Sequence, residues 1–191
     1  LNVKWFKSFP AKNNVYINRL LVDNDDNIYA SILFIDSLAI NGEIYSQPKG
    51  YGSAIAKLNT EGNMLWSHHY YSDYHLLSRV LEIGTPCHSC PSTLYIAGNI
   101  SGDSILVDGD LKAQFNSKFN DRFFVATLNE HGDILQTKLL DDGIRSVADI
   151  KIYQNRIFFA GSYSDTVHLN GWSMTPVDNS STYLAELSTQ A

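Results

Sequence analysis

The chain has 191 residues, 44% hydrophobic and 12% aromatic, with a formal net charge of −6. That composition suits one soluble globular unit with a sizeable core and is too apolar for disorder. An acidic chain without a Lys/Arg run is a poor nucleic-acid binder, and no apolar stretch approaches the ~20 residues of a membrane-inserting helix.

In chain order, the first segment is Leu1-Asn2-Val3-Lys4-Trp5. It has no charged-then-apolar leader and reads as the start of a mature chain or of a fragment. Leu20–Val22 is a short apolar strand, followed by turn chemistry at Asp23-Asn24-Asp25-Asp26-Asn27. Ile28–Ile35 is rich in β-branched and aromatic residues and predicts a second strand. Asn41-Gly42 permits φ > 0 at both central residues of a type I′ hairpin. Gly50-Tyr51-Gly52 is expected to precede a strand, whereas a nucleotide-binding loop needs a following helix. Val80–Ile83 and Val147–Ile152 repeat the short apolar run, and no apolar 3.6-residue periodicity predicts a major helix.

A threefold repeat organises these elements. Asn27-Ile28-Tyr29-Ala30-Ser31, Thr93-Leu94-Tyr95-Ile96-Ala97-Gly98 and Arg156-Ile157-Phe158-Phe159-Ala160-Gly161 correspond. Each is followed by an acidic-hydroxyl-aliphatic triplet: Asp36-Ser37-Leu38, Asp103-Ser104-Ile105 and Asp165-Thr166-Val167. A turn pair comes next, at Asn41-Gly42, Asp108-Gly109 and Asn170-Gly171. Then come Ala56-Lys57-Leu58-Asn59, Ala126-Thr127-Leu128-Asn129 and Ala185-Glu186-Leu187-Ser188. Turn glycines Gly62 and Gly132 follow in two copies; Trp66 comes after the first, with Gln136 in its place after the second. Continuous apolar runs such as Phe123-Phe124-Val125-Ala126 imply sheets buried on both faces. Radially repeated small sheets of that kind are propeller blades, and Ala56, Ala126 and Ala185 suit close approach between them.

These landmarks resemble the secreted bacterial β-propeller repeat of the seven-bladed type. Its blade reads roughly Asp-x-x-Gly-Asn-x-Tyr, a Gly-rich turn, Phe-Val-Ala-Lys-Leu-Asn-x-x-Gly, then Trp. Asp23…Asn27-Ile28-Tyr29 fits the first part, and Ala56-Lys57-Leu58-Asn59 with Gly62 and Trp66 fits the last. The pattern is also similar to the tryptophan-docking motif of quinoprotein-type propellers, although Gln136 departs from it and quinoprotein cofactor binding is unsupported. The resemblance implies an all-β propeller or partial propeller of three units, approximately 12–70, 71–140 and 141–191, within one domain 1–191. The Trp5 segment, 1–11, looks like the strand completing the last unit. Three blades fall below the usual four to eight, so part of a larger ring is favoured over a three-plus-three homodimer. The resemblance further implies a secreted, periplasmic or cell-surface protein. It would be a non-catalytic module contacting a protein partner in a larger assembly, of the kind found around type IX secretion and gliding machinery.

Candidate sites follow. Cys87-His88-Ser89-Cys90 has no second Cys pair for zinc and no helix to activate a thiolate. A small loop disulfide in an oxidising compartment is the expectation. Asp23, Asp25 and Asn27 offer oxygens at alternate positions, as calcium loops do, but lack the Gly and the later bidentate Glu. A hairpin turn is favoured and no cofactor is expected, with calcium as the alternative. His68-His69-Tyr70-Tyr71-Ser72-Asp73-Tyr74-His75 is the densest aromatic and polar cluster. Tyr70, Tyr71, Tyr74 and His75 are the residues for a carbohydrate-binding alternative, against an ordinary loop between blades. His68 and His69 should point to opposite sides of a strand. The triplets also resemble the O-glycosylation acceptor of gliding-type bacteria, at Ser37, Ser104 and Thr166; recurrent turn chemistry accounts for them equally. No Gly-x-Ser-x-Gly, His-Glu-x-x-His or phosphate loop is present, so no enzyme is expected.

Overall fold

The computed structural model describes residues 2–72, 75–84, 93–115, 122–140, 144–153, 156–169 and 172–188. Every regular element among them is a strand. The strands are β1 (Val15–Val22), β2 (Ile28–Ile40), β3 (Glu43–Leu58), β4 (Met64–Tyr71) and β5 (His75–Gly84). They continue with β6 (Thr93–Ser101), β7 (Ser104–Val107), β8 (Asp110–Gln114), β9 (Arg122–Leu128) and β10 (Ile134–Leu140). The last five are β11 (Ile144–Tyr153), β12 (Arg156–Tyr163), β13 (Val167–Leu169), β14 (Trp172–Met174) and β15 (Ser181–Ser188).

All pairing is antiparallel. The first sheet runs β1-β2-β3-β4 and continues into β7-β8, the second runs β5-β6-β9-β10 and the third β11-β12-β15. The sequence landmarks take the same register in each. Tyr29 lies opposite Lys57 and Ala30 opposite Ala56 in the first sheet. Tyr95 pairs with Thr127 and Ile96 with Ala126 in the second. Phe158 pairs with Glu186 and Phe159 with Ala185 in the third.

Period-two alternation explains why the middle strands are apolar throughout. On β9, Phe123 and Val125 enter one core with Tyr95 of β6 and with Phe159 and Tyr183 of the third sheet. Phe124 and Ala126 enter another, with Tyr29, Ile55 and Tyr70. The second sheet is therefore buried on both faces. A third core, built from Ile32, Phe34, Ala54 and Ala56, lies on the outer face of the first sheet and is partly covered by Phe9 and Ala11.

Turn chemistry is as specific as the strand pattern. Asn41 and Gly42 have φ of 52° and 87°, and Asp108 and Gly109 have 50° and 96°, the two positive values a type I′ hairpin needs. In the first sheet the hairpin arm is continuous with β2 and β3, past a register shift at Ile35/Asp36. In the second unit the arm separates as β7-β8 and pairs with β4 of the preceding sheet, Tyr70 opposite Val107. Gly50-Tyr51-Gly52 does not precede a strand; it lies inside β3. His68–Tyr71 is likewise strand and not loop, because β4 is paired on one side with β3 and on the other with β7.

Candidate functional site

The densest set of chemically capable side chains lies where the first sheet meets the turn between β9 and β10. Trp66 projects from β4 over Gly132. A methyl group at Gly132 would lie 2.5 Å from His68 Cδ2 and 2.9 Å from Trp66 Cζ3, and Gly132 has φ +87°. Both conditions demand glycine. The indole N–H donates to the Glu130 carbonyl at 2.9 Å, and Tyr29 meets the indole edge-on. Tyr70, wholly buried, donates its hydroxyl to the Gly132 carbonyl.

His68 and His69 point to opposite sides of β4, as alternation requires. His68 Nε2 lies 2.8 Å from the His131 carbonyl, and Nδ1 is bound to the Asp108 carboxylate. A carbonyl only accepts and an ionised carboxylate only accepts, so this pair of bonds calls for the doubly protonated imidazolium. The hydrogen bond to Asp108 raises the His68 pKa despite burial. Burial pushes the Asp108 carboxyl up, but bonds from His68 and from the His69 backbone N–H outweigh it and hold its pKa low. Asp108 is the residue that sequence reasoning missed. It was legible only as half of a turn pair, because its partner is 40 residues away.

His69 is the opposite case. It is stacked between Tyr45 and Tyr71, with Phe34 tilted against it. Nε2 is buried with no hydrogen-bond partner among the described residues. Burial lowers its pKa to about 4, so the ring is neutral near neutral pH.

This arrangement leaves little to act on a substrate. Both His68 nitrogens are engaged, His69 is enclosed by rings, and Tyr70 has no exposed surface. Tyr71 is half-buried with one face on His69. Tyr74 lies outside the described residues, and His75 is placed only by its backbone, opposite Ser101 at the start of β5. Of the residues of the carbohydrate alternative whose side chains are described, Tyr70 is buried and Tyr71 is half-buried.

Asp23 organises a turn. Its Oδ1 accepts from the Asp25 and Asn27 backbone N–H groups at 3.0 and 2.8 Å, and Oδ2 from the Asn27 side chain and the Tyr29 hydroxyl. Burial raises its pKa, yet these hydrogen bonds outweigh it and leave the pKa lowered. Asn59 and Asn129 repeat the motif, each accepting from the residues two and four positions on. The position three residues on has positive φ each time, at Asp26, Gly62 and Gly132. Asp23 thus acts as the acceptor of an Asx turn, with Asp25 and Asn27 as its donors. Among the described residues no group of three or more His, Cys, Asp or Glu could hold a metal.

Of the hydroxyls in the acidic triplets, Ser104 is buried. Ser37 is half-buried, its carbonyl accepting from Lys12 N–H. Thr166 bonds Thr175 at 3.0 Å. Cys87 and Cys90 lie outside the described residues.

Among the described residues no helix is long and apolar enough to cross a membrane. No family model matches the chain, and neither a curated protein nor a solved structure is significantly similar to it.

Proposed function

We propose that the chain is a non-catalytic β-propeller-type module, secreted, periplasmic or on the cell surface, whose role is to contact a protein partner within a larger assembly. The observation carrying this reading is that its most chemically capable side chains are spent on packing sheet against sheet. Trp66, His68, Tyr70 and Asp108 fasten one unit to the next, and the same strand register recurs in three sheets. Radial stacking is supported by the first strands. β5 packs against both β1 and β11, and Arg19 of β1 reaches Asp149 of β11 at 3.2 Å. The first strands thus converge, as they do around a propeller axis. The sequence resemblance supports placement around type IX secretion or gliding machinery.

Native mass spectrometry on material from its source, with partners retained, tests the reading. A mass that separates into distinct chains is expected. A lone chain that binds sugars on a glycan array, with loss on Tyr71→Ala, would replace it with the carbohydrate-binding reading. Sugar-sized mass increments would assign Ser37, Ser104 or Thr166 as acceptors in addition.

A further inference from the structure

The hairpin arms of the first two units are attached in different ways. In the first unit β2 and β3 run on into the arm, and pairing continues from Ile28–Leu58 to Ile40–Glu43 past one register shift. In the second unit β6 ends at Ser101, and Gly102 turns the chain away with φ 138°. Among the described residues, the strand partner of β7 outside its own hairpin is β4, through Tyr70–Val107 and Tyr71–Leu106. A bond from the Phe115 N–H to the Asp103 carbonyl at 2.7 Å closes the base of the arm. The β7–β8 arm can therefore leave β4 without breaking a strand pair of the second sheet.

Two kinds of contact hold it closed. Ile105 and Val107 are buried in the core shared with Tyr70 and Ile55, which keeps opening a minority excursion. At the tip, Asp108 is fixed three times. Its N–H donates to the His69 carbonyl at 3.0 Å, its Oδ1 accepts from the His69 N–H at 2.7 Å, and its Oδ2 is bound to His68 Nδ1. His68 Nε2 faces the His131 carbonyl on the other side. With an acceptor at each nitrogen, the ring satisfies both only as the imidazolium. A neutral ring sets one lone pair against an acceptor and gives up the charge-assisted bond to Asp108. The tip of the first arm carries the uncharged Asn41 at the place of Asp108.

We infer that the β7–β8 arm is a proton-operated latch: it closes on β4 with His68 doubly protonated and opens about Gly102 more readily when that proton passes to solvent. Opening bares the β4 edge at Tyr70 and Tyr71. The groups facing the latch from each side fit this role. From the β9–β10 turn, Asp133 adds to the field that favours the charged ring, and His131 presents its carbonyl, its own ring lying near Glu130. On β4 and β3, burial pushes the Tyr70 and Tyr45 phenols up, so both stay neutral. His69 is neutral near neutral pH through burial. On the arm itself, Asp110 is paired with Lys112. An opened arm frees His68 to titrate near the ordinary imidazole value of 6.5, and the closed arm holds the proton more tightly. Closure is therefore strongest below 6.5 and weakens as pH rises through the raised value of the closed state.

Hydrogen exchange across pH 5–9, corrected for the intrinsic rise of exchange with pH, is the test. A lone two-stranded hairpin is marginal in water, so opening is read as exchange at residues 104–114. Their protection should fall by up to about tenfold per pH unit above 6.5 and then level off, the limit for one linked proton. The first arm, residues 36–47, and the β6 and β9 core serve as internal references and should not follow that fall. Asp108→Asn keeps the turn chemistry of Asn41-Gly42 and offers its side-chain N–H to a neutral His68, so the fall should vanish. His68→Gln should remove it as well. Three results overturn the inference: an arm that exchanges at the rate of the β6 and β9 core, an arm whose pH dependence matches residues 36–47, or a fall that persists in both variants.

Discussion

The two junctions between sheets are built differently. The first, between the β1–β4 sheet and the second unit, carries a polar and geometric lock: Trp66 on Gly132, His68 between Asp108 and His131, and Tyr70 bound to Gly132. The second, between the second and third sheets, has Gln136 where the first has Trp66, and it is exposed. Its cohesion comes from rings: Phe123 stacks on Phe159 at 5.7 Å between centroids, and Tyr183 of the same sheet braces Phe159 edge-on. Lys151 pairs with Glu82 at the surface, a contact worth little by itself. Both junctions bury an apolar core; the first adds directional bonds and a glycine contact to it, whereas in the second the described contacts are chiefly rings. The first should therefore respond to pH and to single added atoms, and the second to removed ones.

The largest effect is expected in the second junction. Phe159→Ala removes a ring that is 1% exposed and touches both neighbouring aromatics. A loss of about 3–5 kcal/mol follows from transfer and cavity terms. Chemical denaturation of the variant checks it. A loss under about 1 kcal/mol would show that the junction is not held by its rings.

The pH response belongs to the first junction, and its two histidines act in opposite directions. His69 binds a proton more weakly folded than unfolded, with a pKa of about 4 against 6.5. The unfolded chain then holds more protons between these values, so stability falls as pH drops from 6.5 toward 4. The full effect is of order 3 kcal/mol. His68 has a raised folded pKa; its contribution is complete below 6.5 and is lost as pH rises through the folded value. Asp108 and Asp133 are the charges that sustain it. A stability maximum near pH 6.5 is expected, with the alkaline limb flattened by Asp108→Asn and the acid limb by His69→Phe. Denaturant midpoints measured across pH 4–9 would contradict this if His69→Phe left the acid limb unchanged.

Much of this was legible in the sequence, and the reason is local. The Asn-Gly and Asp-Gly hairpins, the Asp23 turn and the Gly62…Trp66 spacing are all set within a few residues of themselves. What stayed hidden depends on partners distant in sequence. Trp5 is 57 residues from Gly62: its local sequence marks a Trp strand, but not which turn glycine the ring meets. His68 reads as one of a histidine pair until the Asp108 turn is laid against β4. The hairpin arms share a sequence signature yet differ in structure: the second unit has one extra residue between Tyr95 and Asp103, at a stretch containing Gly102. That residue separates β7 from β6, whereas β2 runs on past Asp36 in the first unit.

Two glycines sharpen the account of the lock. Gly132 and Gly109 have similar positive φ, 87° and 96°, but a methyl at Gly109 meets nothing within 4 Å. Alanine at either site bears the left-handed backbone cost, about 1–2 kcal/mol. At Gly132 the methyl must also displace Trp66 and His68, so Gly132→Ala should cost about 1–2 kcal/mol more than Gly109→Ala. Equal losses in paired thermal melts would mean that the Trp66 ring yields freely and that the glycine serves only the turn.

The smallest effect expected is at the position where the repeat departs from its own pattern. Gln136 has the register place of Trp66, opposite Thr127 as Trp66 is opposite Lys57. If that place on the fourth strand mattered for its own sheet, both residues would matter alike. If it matters only through the next unit's turn glycine, Trp66 matters and Gln136 does not. Gln136 is exposed and carries no ring to lay on a neighbouring turn. Gln136→Ala should therefore shift stability by no more than about 0.5 kcal/mol. Trp66→Gln, which writes the second unit's residue into the first, should cost several times as much through lost ring contact on Gly132 and Tyr29. Paired denaturation curves decide between the two accounts. Comparable losses would place the role of the position within its own sheet, and the tryptophan would then cease to be a device for joining units.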